Sequence, residues 1–325
     1  MTWLVTGGAG FIGSHVVRSM LADGARVVVL DDLSTGDKTR VPDEAALEVA
    51  PVRDRAALDW VLAEHEVTGV VHIAAKKQVG ESVGRPLWYY EQNLETLRVL
   101  LEAMVGRGVR RLVFSSSAAV YGSPDLTEIT EDTPCAPQSP YGETKLVGEW
   151  LIRDVAAAHR LSYANLRYFN VAGAGSPGLG DPTALNLVPM VFQRIEAGLP
   201  PRIFGADYDT PDGTAVRDYI HVSDIASAHV AAARRLEADD HAALTLNIGR
   251  GDGVSVRQLV DRILEHTGSD LPTEIGARRP GDAARSVASA ARIRAELGWS
   301  ARHGVDDIVA SAWAGWRARR DAELN

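Results

Sequence analysis

The segment Leu4-Val5-Thr6-Gly7-Gly8-Ala9-Gly10-Phe11-Ile12-Gly13 decides the reading of this chain. A short β-branched run enters a glycine-rich turn, and an amphipathic pattern from Ser14 to Asp23 leaves it. Glycines let the backbone turn tightly and approach a pyrophosphate closely, and the N-terminus of the following helix offers free amides with a partial positive charge. Strand, turn and helix in that order convert a common glycine-rich connection into an expected dinucleotide site centred on Gly7, Gly10 and Gly13. At the end of the next strand pattern stands Asp31. A carboxylate there accepts both hydroxyls of an adenosine ribose and repels a 2′-phosphate, so NAD is favoured over NADP. Asp32 is an alternative for that role, and a turn or capping residue is the plainer explanation of Asp31.

Outward from this turn, Val27 to Leu30, Val70 to Ile73, Leu112 to Phe114 and Tyr163 to Tyr168 read as strands buried on both faces, separated by helical segments such as Asn93 to Gly106. The alternation predicts right-handed parallel crossovers and an α/β, Rossmann-type doubly wound sheet. After Asn170, the cluster Gly173, Gly175, Pro177, Gly178, Gly180 and Pro182 excludes a continuous helix or central strand, and a second lobe is expected to start there. Strand character at Leu244 to Ile248 and a helical pattern at Val222 to Ala233 bring later chain back to the first unit. The expected division is therefore 1–172 with about 217–248 as an NAD-binding domain, and about 173–216 with 249–325 as a smaller C-terminal lobe, to which the family resemblance given below assigns nucleotide-sugar binding.

With 325 residues and 46% apolar residues the chain can bury a sizeable core. Its net charge of −9 argues against nucleic acid or an anionic membrane as partner and leaves a small molecule. Cys135 is the only cysteine, which excludes an intramolecular disulfide, disfavours a thiolate metal site and fits a reducing cytoplasm. The first residues lead straight into the glycine turn and read as a strand, not a signal peptide, and no apolar run is long enough to span a membrane.

The expected chemistry rests on Ser117, Tyr141 and Lys145. Pro140 helps to start a helix, which sets Lys145 one turn beyond Tyr141 on the same face. A free tyrosine is a poor base at neutral pH, but a fixed ammonium and a positive nicotinamide ring favour its phenolate, which can accept a hydroxyl proton from a sugar. Ser117 follows the Leu112 to Phe114 strand pattern at its C-terminal end, where ligands sit in open α/β sheets, and its hydroxyl can bond the same oxygen. Ser115 and Ser116 are rivals for that role, and turn solvation is the alternative for the whole serine run.

Together these residues resemble the extended short-chain dehydrogenase/reductase family, and within it the nucleotide-sugar epimerases. The likeness spans nearly the full length and includes Lys77-Gln78-Val79-Gly80-Glu81-Ser82-Val83, Ser115 to Gly122, Ser139 to Lys145, Arg167-Tyr168-Phe169-Asn170, Asp212 to Val222 and Arg278-Arg279-Pro280-Gly281-Asp282. It implies a soluble homodimeric isomerase that interconverts UDP-glucose and UDP-galactose by transient oxidation at C4 with tightly bound NAD. Cofactor contacts are implied for Gly7, Gly10, Phe11, Ile12, Gly13, Asp31, Asp32, Val52, Ala74, Ala75, Lys77, Asn93, Ser117, Tyr141, Lys145 and Phe169. A UDP-hexose pocket is implied at Lys77, Ser117, Tyr141, Asn170, Asn186, Leu187, Phe204, Arg217, Arg279, Asp282 and Ser286. Arg217 and Arg279 suit diphosphate oxygens and Asp282 suits ribose hydroxyls. Alternatives are an ion pair of Arg217 with Asp218 and a capping role for Asn186.

By the same resemblance, Ser286 contacts the hexose near C2. A small residue there predicts that UDP-N-acetylglucosamine and UDP-N-acetylgalactosamine are also interconverted. The sequence departs from the family pattern twice, with Pro51 where an acidic residue usually meets adenine and Ala119 where threonine is common. Among related chemistries, Ala118-Ala119 replace the Asp/Glu pair that a dehydratase needs, and no cation is evident for the carboxylate of a UDP-uronate. A catalytically silent NAD-binding protein would be expected to lose Tyr141 or Lys145, and both are present.

Overall fold

The computed structural model describes residues 1–279 and 281–324. Six parallel strands come first: β1 (Thr2–Thr6), β2 (Arg26–Asp31), β3 (Ala46–Val49), β4 (Gly69–His72), β5 (Arg111–Ser117) and β6 (Ser162–Tyr168). Three short strands outside this sheet follow, β7 (Asn170–Ala172), β8 (Arg202–Phe204) and β9 (Val216–His221), before β10 (Ala243–Ile248) returns to pair with β6. The sheet order is β10-β6-β5-β4-β1-β2-β3, with every neighbouring pair parallel. The order reverses between β1 and β4, the switch point where ligands settle in such sheets.

The strands read as continuous apolar runs because both faces are covered. Trp3, Val5, Val29, Val71 and Val113 point to one core, packed by α1 (Phe11–Ala22) and a later helix, Val222–Ala238. Leu4, Val28, Leu30, Val70 and Leu112 point to the other, closed by α2 (Arg55–Glu64), a helix over Thr96–Arg107 and Ile152 of a helix over Pro140–His159. In chain order the intervening helices are α3 (Val79–Gly84), α4 (Pro86–Tyr90), α5 (Thr96–Arg107), α6 (Pro140–His159), α7 (Leu187–Glu196) and α8 (Val222–Ala238). The predicted Asn93 to Gly106 helix starts later than expected, because Glu91–Glu95 forms a π-helical turn ahead of α5.

Strand β3 is absent from the sequence expectation. It has only four residues, carries Glu48, lies on the sheet edge and leaves Val49 59% exposed, so neither apolar periodicity nor burial marks it. The second lobe packs α7, α9 (Val256–Thr267) and α11 (Val305–Leu324) around Phe192, Ile203, Tyr219 and Ile263, with α10 (Ala291–Leu297) preceding α11. Its small sheet gathers β7, β9, β11 (Gly253–Ser255) and β13 (Arg285–Ser286), while β12 (Glu274–Gly276) pairs with β8. Thus β9 joins the second sheet, and the chain rejoins the first unit at α8. Among the described residues no helix is long and apolar enough to cross a membrane.

Candidate active site

At the switch point the glycine turn is built by backbone contacts that exclude side chains. Gly7 sits at φ +73°, a left-handed conformation that favours glycine, and a Cβ there would lie 2.8 Å from the Ala74 amide nitrogen. A Cβ on Gly13 would fall 2.0 Å from the Gly7 carbonyl oxygen. The turn is closed by the Gly7 N–H donating to Leu30 O at 2.9 Å and the Gly10 N–H donating to Gly7 O at 3.2 Å. Gly10 caps α1 without a side-chain bond, and the first helical turn holds no acidic residue. The positive end of α1, at the amides of Phe11, Ile12 and Gly13, therefore has neither a side-chain cap nor an acidic residue in its own first turn, which fits a bound pyrophosphate.

Asp31 ends β2 beside this turn and is buried. Its carboxylate accepts the Ala9 N–H at 3.0 Å and the Leu33 N–H at 2.9 Å. Burial raises its pKa, and those two backbone bonds oppose the shift. Asp32 is exposed and its carboxylate accepts the Ser34 N–H, an Asx turn of its own. Pro51 is exposed, and Val52 packs into the sheet core, so Val52 has only backbone to offer a ligand. Ala74, Ala75 and Lys77 lie in the loop after β4, with Lys77 exposed. That loop is pinned by Asn93 from the π-helical turn: its Oδ1 accepts the Lys76 N–H at 2.8 Å, and its Nδ2 donates to Lys76 O and to Thr144 Oγ1, both at 3.0 Å. One amide side chain thus locks the cofactor-side loop to α6.

Helix α6 starts at Pro140 because Ser139 accepts the Gly142 N–H and proline tolerates the first turn. Tyr141 is 8% exposed, and burial raises its phenol pKa, opposed by the nearby Ser117 hydroxyl. Lys145, buried, donates from Nζ to Ser115 O at 2.7 Å and lies 4.9 Å above the Phe114 ring. Burial brings its pKa down to about 8 from 10.5, with Glu149 working against the shift. The serine run divides by strand alternation. Ser115 Oγ bonds His229 Nε2 at 3.0 Å, Ser116 Oγ donates to Glu149 at 2.5 Å, and Ser117 Oγ accepts the Ala119 N–H at 3.2 Å. Ser115 and Ser116 are committed away from the reacting oxygen.

Below this centre lies a polar network that the sequence reasoning missed. Glu149 accepts from Arg167 Nε at 2.9 Å and from Arg167 NH2 at 2.5 Å, and both side chains are less than 10% exposed. The remaining Arg167 nitrogen donates to Tyr121 OH at 2.9 Å, whose proton goes to Asn247 Oδ1 at 2.7 Å. Two signals were available: a glutamate four residues beyond Lys145 on one helix face, and an arginine inside a strand buried on both faces. Phe169 follows that strand, buried with Val120, Tyr121 and Leu146.

On the second lobe, Asp282 joins the two arginines singled out from the sequence. Arg279 Nε donates to Asp282 at 2.9 Å, and Arg217 NH2 lies 3.6 Å from its other oxygen. The partner of Arg217 is therefore not Asp218, which points to the opposite side of β9 and accepts the amides of Arg250, Gly251 and Ala288. The Arg279 guanidinium lies 5.3 Å over the Phe204 ring. Ser286 is registered opposite Arg217 in the β13–β9 pair. Asn186 occupies the cap position of α7, yet its side chain donates to Asp181 and does not cap; Leu187 begins the helix and Asn170 begins β7, with Asn170 and Asn186 exposed. Pro280 lies outside the described residues.

Comparison with known proteins agrees with this geometry. Residues 3–249 match the model of the NAD dependent epimerase/dehydratase family. A UDP-glucose 4-epimerase of Azospirillum brasilense is 46% identical over 95% of this chain and 90% of its own length. One from Corynebacterium glutamicum is 46% identical over 97% of this chain and 95% of its own. Among solved structures, the UDP-glucose-4-epimerase of Stenotrophomonas maltophila with bound NAD and formylated UDP-arabinopyranose superposes with a TM-score of 0.95 at 42% identity, covering 99% of both chains.

Proposed function

Because the chain belongs to the NAD-dependent epimerase/dehydratase family, we propose that it interconverts UDP-glucose and UDP-galactose by transient oxidation at sugar C4, with NAD retained through each cycle. The observation that carries this reading is the convergence of the buried Tyr141 with Lys145 one helical turn along on α6, Lys145 bonded to β5 at Ser115 O two residues before Ser117, and the glycine turn at the same end of the sheet. Gly7, Gly10, Phe11, Ile12 and Gly13 hold the pyrophosphate of NAD, Asp31 its adenosine ribose, and the loop at Ala74 to Lys77 its nicotinamide side. Bound NAD supplies reversible hydride transfer at C4.

The protein's own part is proton handling and anchoring. Tyr141 takes the 4-hydroxyl proton and returns it, Ser117 fixes the oxygen, and the Lys145 ammonium stabilises the phenolate against burial. Arg217 and Arg279 hold the diphosphate and Asp282 the ribose, so the nucleotide stays fixed while the hexose turns and presents its other face. Such a cycle needs firm anchoring at the diphosphate and few fixed contacts to the sugar. Ser286, small and opposite Arg217, supports acceptance of the N-acetylated UDP-sugars as well.

The test is incubation of purified protein with UDP-galactose and analysis of the product for UDP-glucose, with no added cofactor. Conversion is expected; a preparation that carries NAD and forms no UDP-glucose would overturn the assignment. The proposed organisation is an NAD-binding domain of 1–172 with about 217–248, whose β7 and β9 segments lend strands to the second sheet, and a nucleotide-sugar lobe of about 173–216 with 249–325. We also propose a cytoplasmic homodimer. The apolar stripe of α5, Leu97, Leu100, Leu101 and Met104, is buried within the chain, so the pairing face is drawn on α4 and α6, where Leu87 is 85% and Trp150 48% exposed. Sedimentation of Trp150→Glu tests that face.

A further inference from the structure

Glu149 has no contact role toward sugar or cofactor in the function proposed above, yet it is buried and takes part in three hydrogen bonds. It stands one turn beyond Lys145 and two turns beyond Tyr141 on α6. Ser116, Arg167 and Asn247 occupy one row across β5, β6 and β10. Ser116 and Arg167 bond Glu149 directly, and Asn247 secures Tyr121, which in turn accepts from Arg167. The carboxylate is thus fixed to three strands at once. A bidentate guanidinium and a serine hydroxyl hold both carboxylate oxygens in place.

We infer that Glu149, clamped by Arg167, is a positioning residue that keeps the proton of the Tyr141–Lys145 pair on Lys145, and so leaves Tyr141 able to accept one from the sugar. The inference rests on the function proposed above. A buried phenol and a buried amine that have lost one proton between them exist in two forms, phenolate with ammonium or phenol with free amine, and only the first is a base of the required kind. Burial pushes both groups toward neutrality, which favours the second form. A negative charge one helical turn from the ammonium position and about 12 Å along the helix from the tyrosine position favours the first.

The other titratable groups around the pair do not compete. His72 on β4 and His229 on α8 are buried with pKa values down to about 3 and about 4, so both are neutral. Tyr121, Tyr163 and Tyr168 are raised by burial, as is the Cys135 thiol, so all four are uncharged near neutral pH. The charged groups nearest the pair are Lys145, Arg167 and Glu149; further out stand Glu81, which accepts from the Tyr89 hydroxyl, and Glu131, which accepts the Asn247 N–H and pairs with Arg292.

The test is the pH profile of UDP-galactose turnover by Glu149→Gln, which removes the charge and keeps the shape. The plateau kcat is expected to fall about tenfold, with KM little changed, and the acid-side midpoint to move down by about one unit as Lys145 gives up its proton more easily. Glu149→Asp, which retains the charge, should keep the native midpoint. A lower plateau with an unmoved midpoint would mean a merely structural role, and unchanged kcat would remove any role; either result overturns the inference. If Glu149→Gln does not fold, Glu149→Gln/Arg167→Met removes the stranded guanidinium too. Its midpoint should move in the same direction, and an unmoved one overturns the inference. Tyr141→Phe separates the two levels: turnover by that variant defeats the proposed function itself, whereas an inactive Tyr141→Phe beside a native-like Glu149→Gln defeats only the role of Glu149.

Discussion

Gly13→Ala is the most exacting test of the cofactor cradle. The new Cβ would lie 2.0 Å from the Gly7 carbonyl oxygen and 2.8 Å from Gly8 Cα. Carbon and carbonyl oxygen ordinarily stay about 3.3 Å apart, so roughly 1.3 Å of movement is required. Gly7 cannot supply it freely, because its N–H is bonded to Leu30 O and its open side faces the Ala74 backbone. The turn and the start of α1 must separate, at the expense of the bond from Gly10 to Gly7 O. Overpacking plus one lost hydrogen bond costs roughly 2–4 kcal/mol, or about 4–8 °C in melting temperature for a chain of this size. Losing a charge-assisted bond to a pyrophosphate weakens NAD by roughly 10- to 100-fold. The assay is NAD released per chain from purified protein, beside a thermal melt. Gly24→Ala is the control: Gly24 sits at φ +85° with no heavy atom within 4 Å of the added Cβ, so it should lose about 1–2 kcal/mol through backbone strain and keep its NAD. Gly13→Ala purifying with a full complement of NAD would refute the reasoning.

Tyr141→Phe should keep NAD and UDP-sugar binding while turnover falls by at least about a hundredfold, since the ring remains and the proton acceptor is gone; steady-state kinetics beside nucleotide titration checks both halves. Ser286→Tyr should lower N-acetylated sugar turnover relative to hexose turnover by roughly tenfold or more, and an unchanged ratio in parallel product analyses would exclude this position as the determinant. Melting temperature should fall as pH drops from about 6.5 toward 4. His15, His72, His221 and His229 are neutral and buried with depressed pKa values, so the unfolded chain binds protons that the native state refuses throughout that window. Asp31 and Asp218 act in the opposite sense, but starting from a carboxylate's own lower range. A flat melting profile between pH 6.5 and 5 would contradict this account.

The doubly wound sheet was legible because strands buried on both faces leave uninterrupted runs such as Val27 to Leu30, and because Gly7 to Gly13 marks where the first strand becomes a helix. Strand β3 was not, since an edge strand of four residues has no buried face to enforce a pattern. In the site, the spacing of Tyr141 and Lys145 was readable from helical geometry alone. Which serine faces Tyr141 was not, because three consecutive hydroxyls look alike until strand alternation sends Ser115 to α8 and Ser116 to α6. Pairing of Arg217 with Asp282 was equally hidden: the two are far apart in sequence, and nearby Asp218 is the more obvious partner until β9 turns it to the opposite side.

Strand β10 reaches the sheet only after the chain has laid down two of the four strands of a second one. A polypeptide leaving the ribosome N-terminus first carries the flank of β6 as a row of unsatisfied amides and carbonyls until Ala243–Ile248 is delivered. Early release, or truncation anywhere between Tyr168 and Ala243, leaves an adhesive margin exposed. Conversely, a single protease cut in the Gly173 to Pro182 loop of the mature molecule yields two fragments still strapped together by that returning strand, migrating as one until denatured.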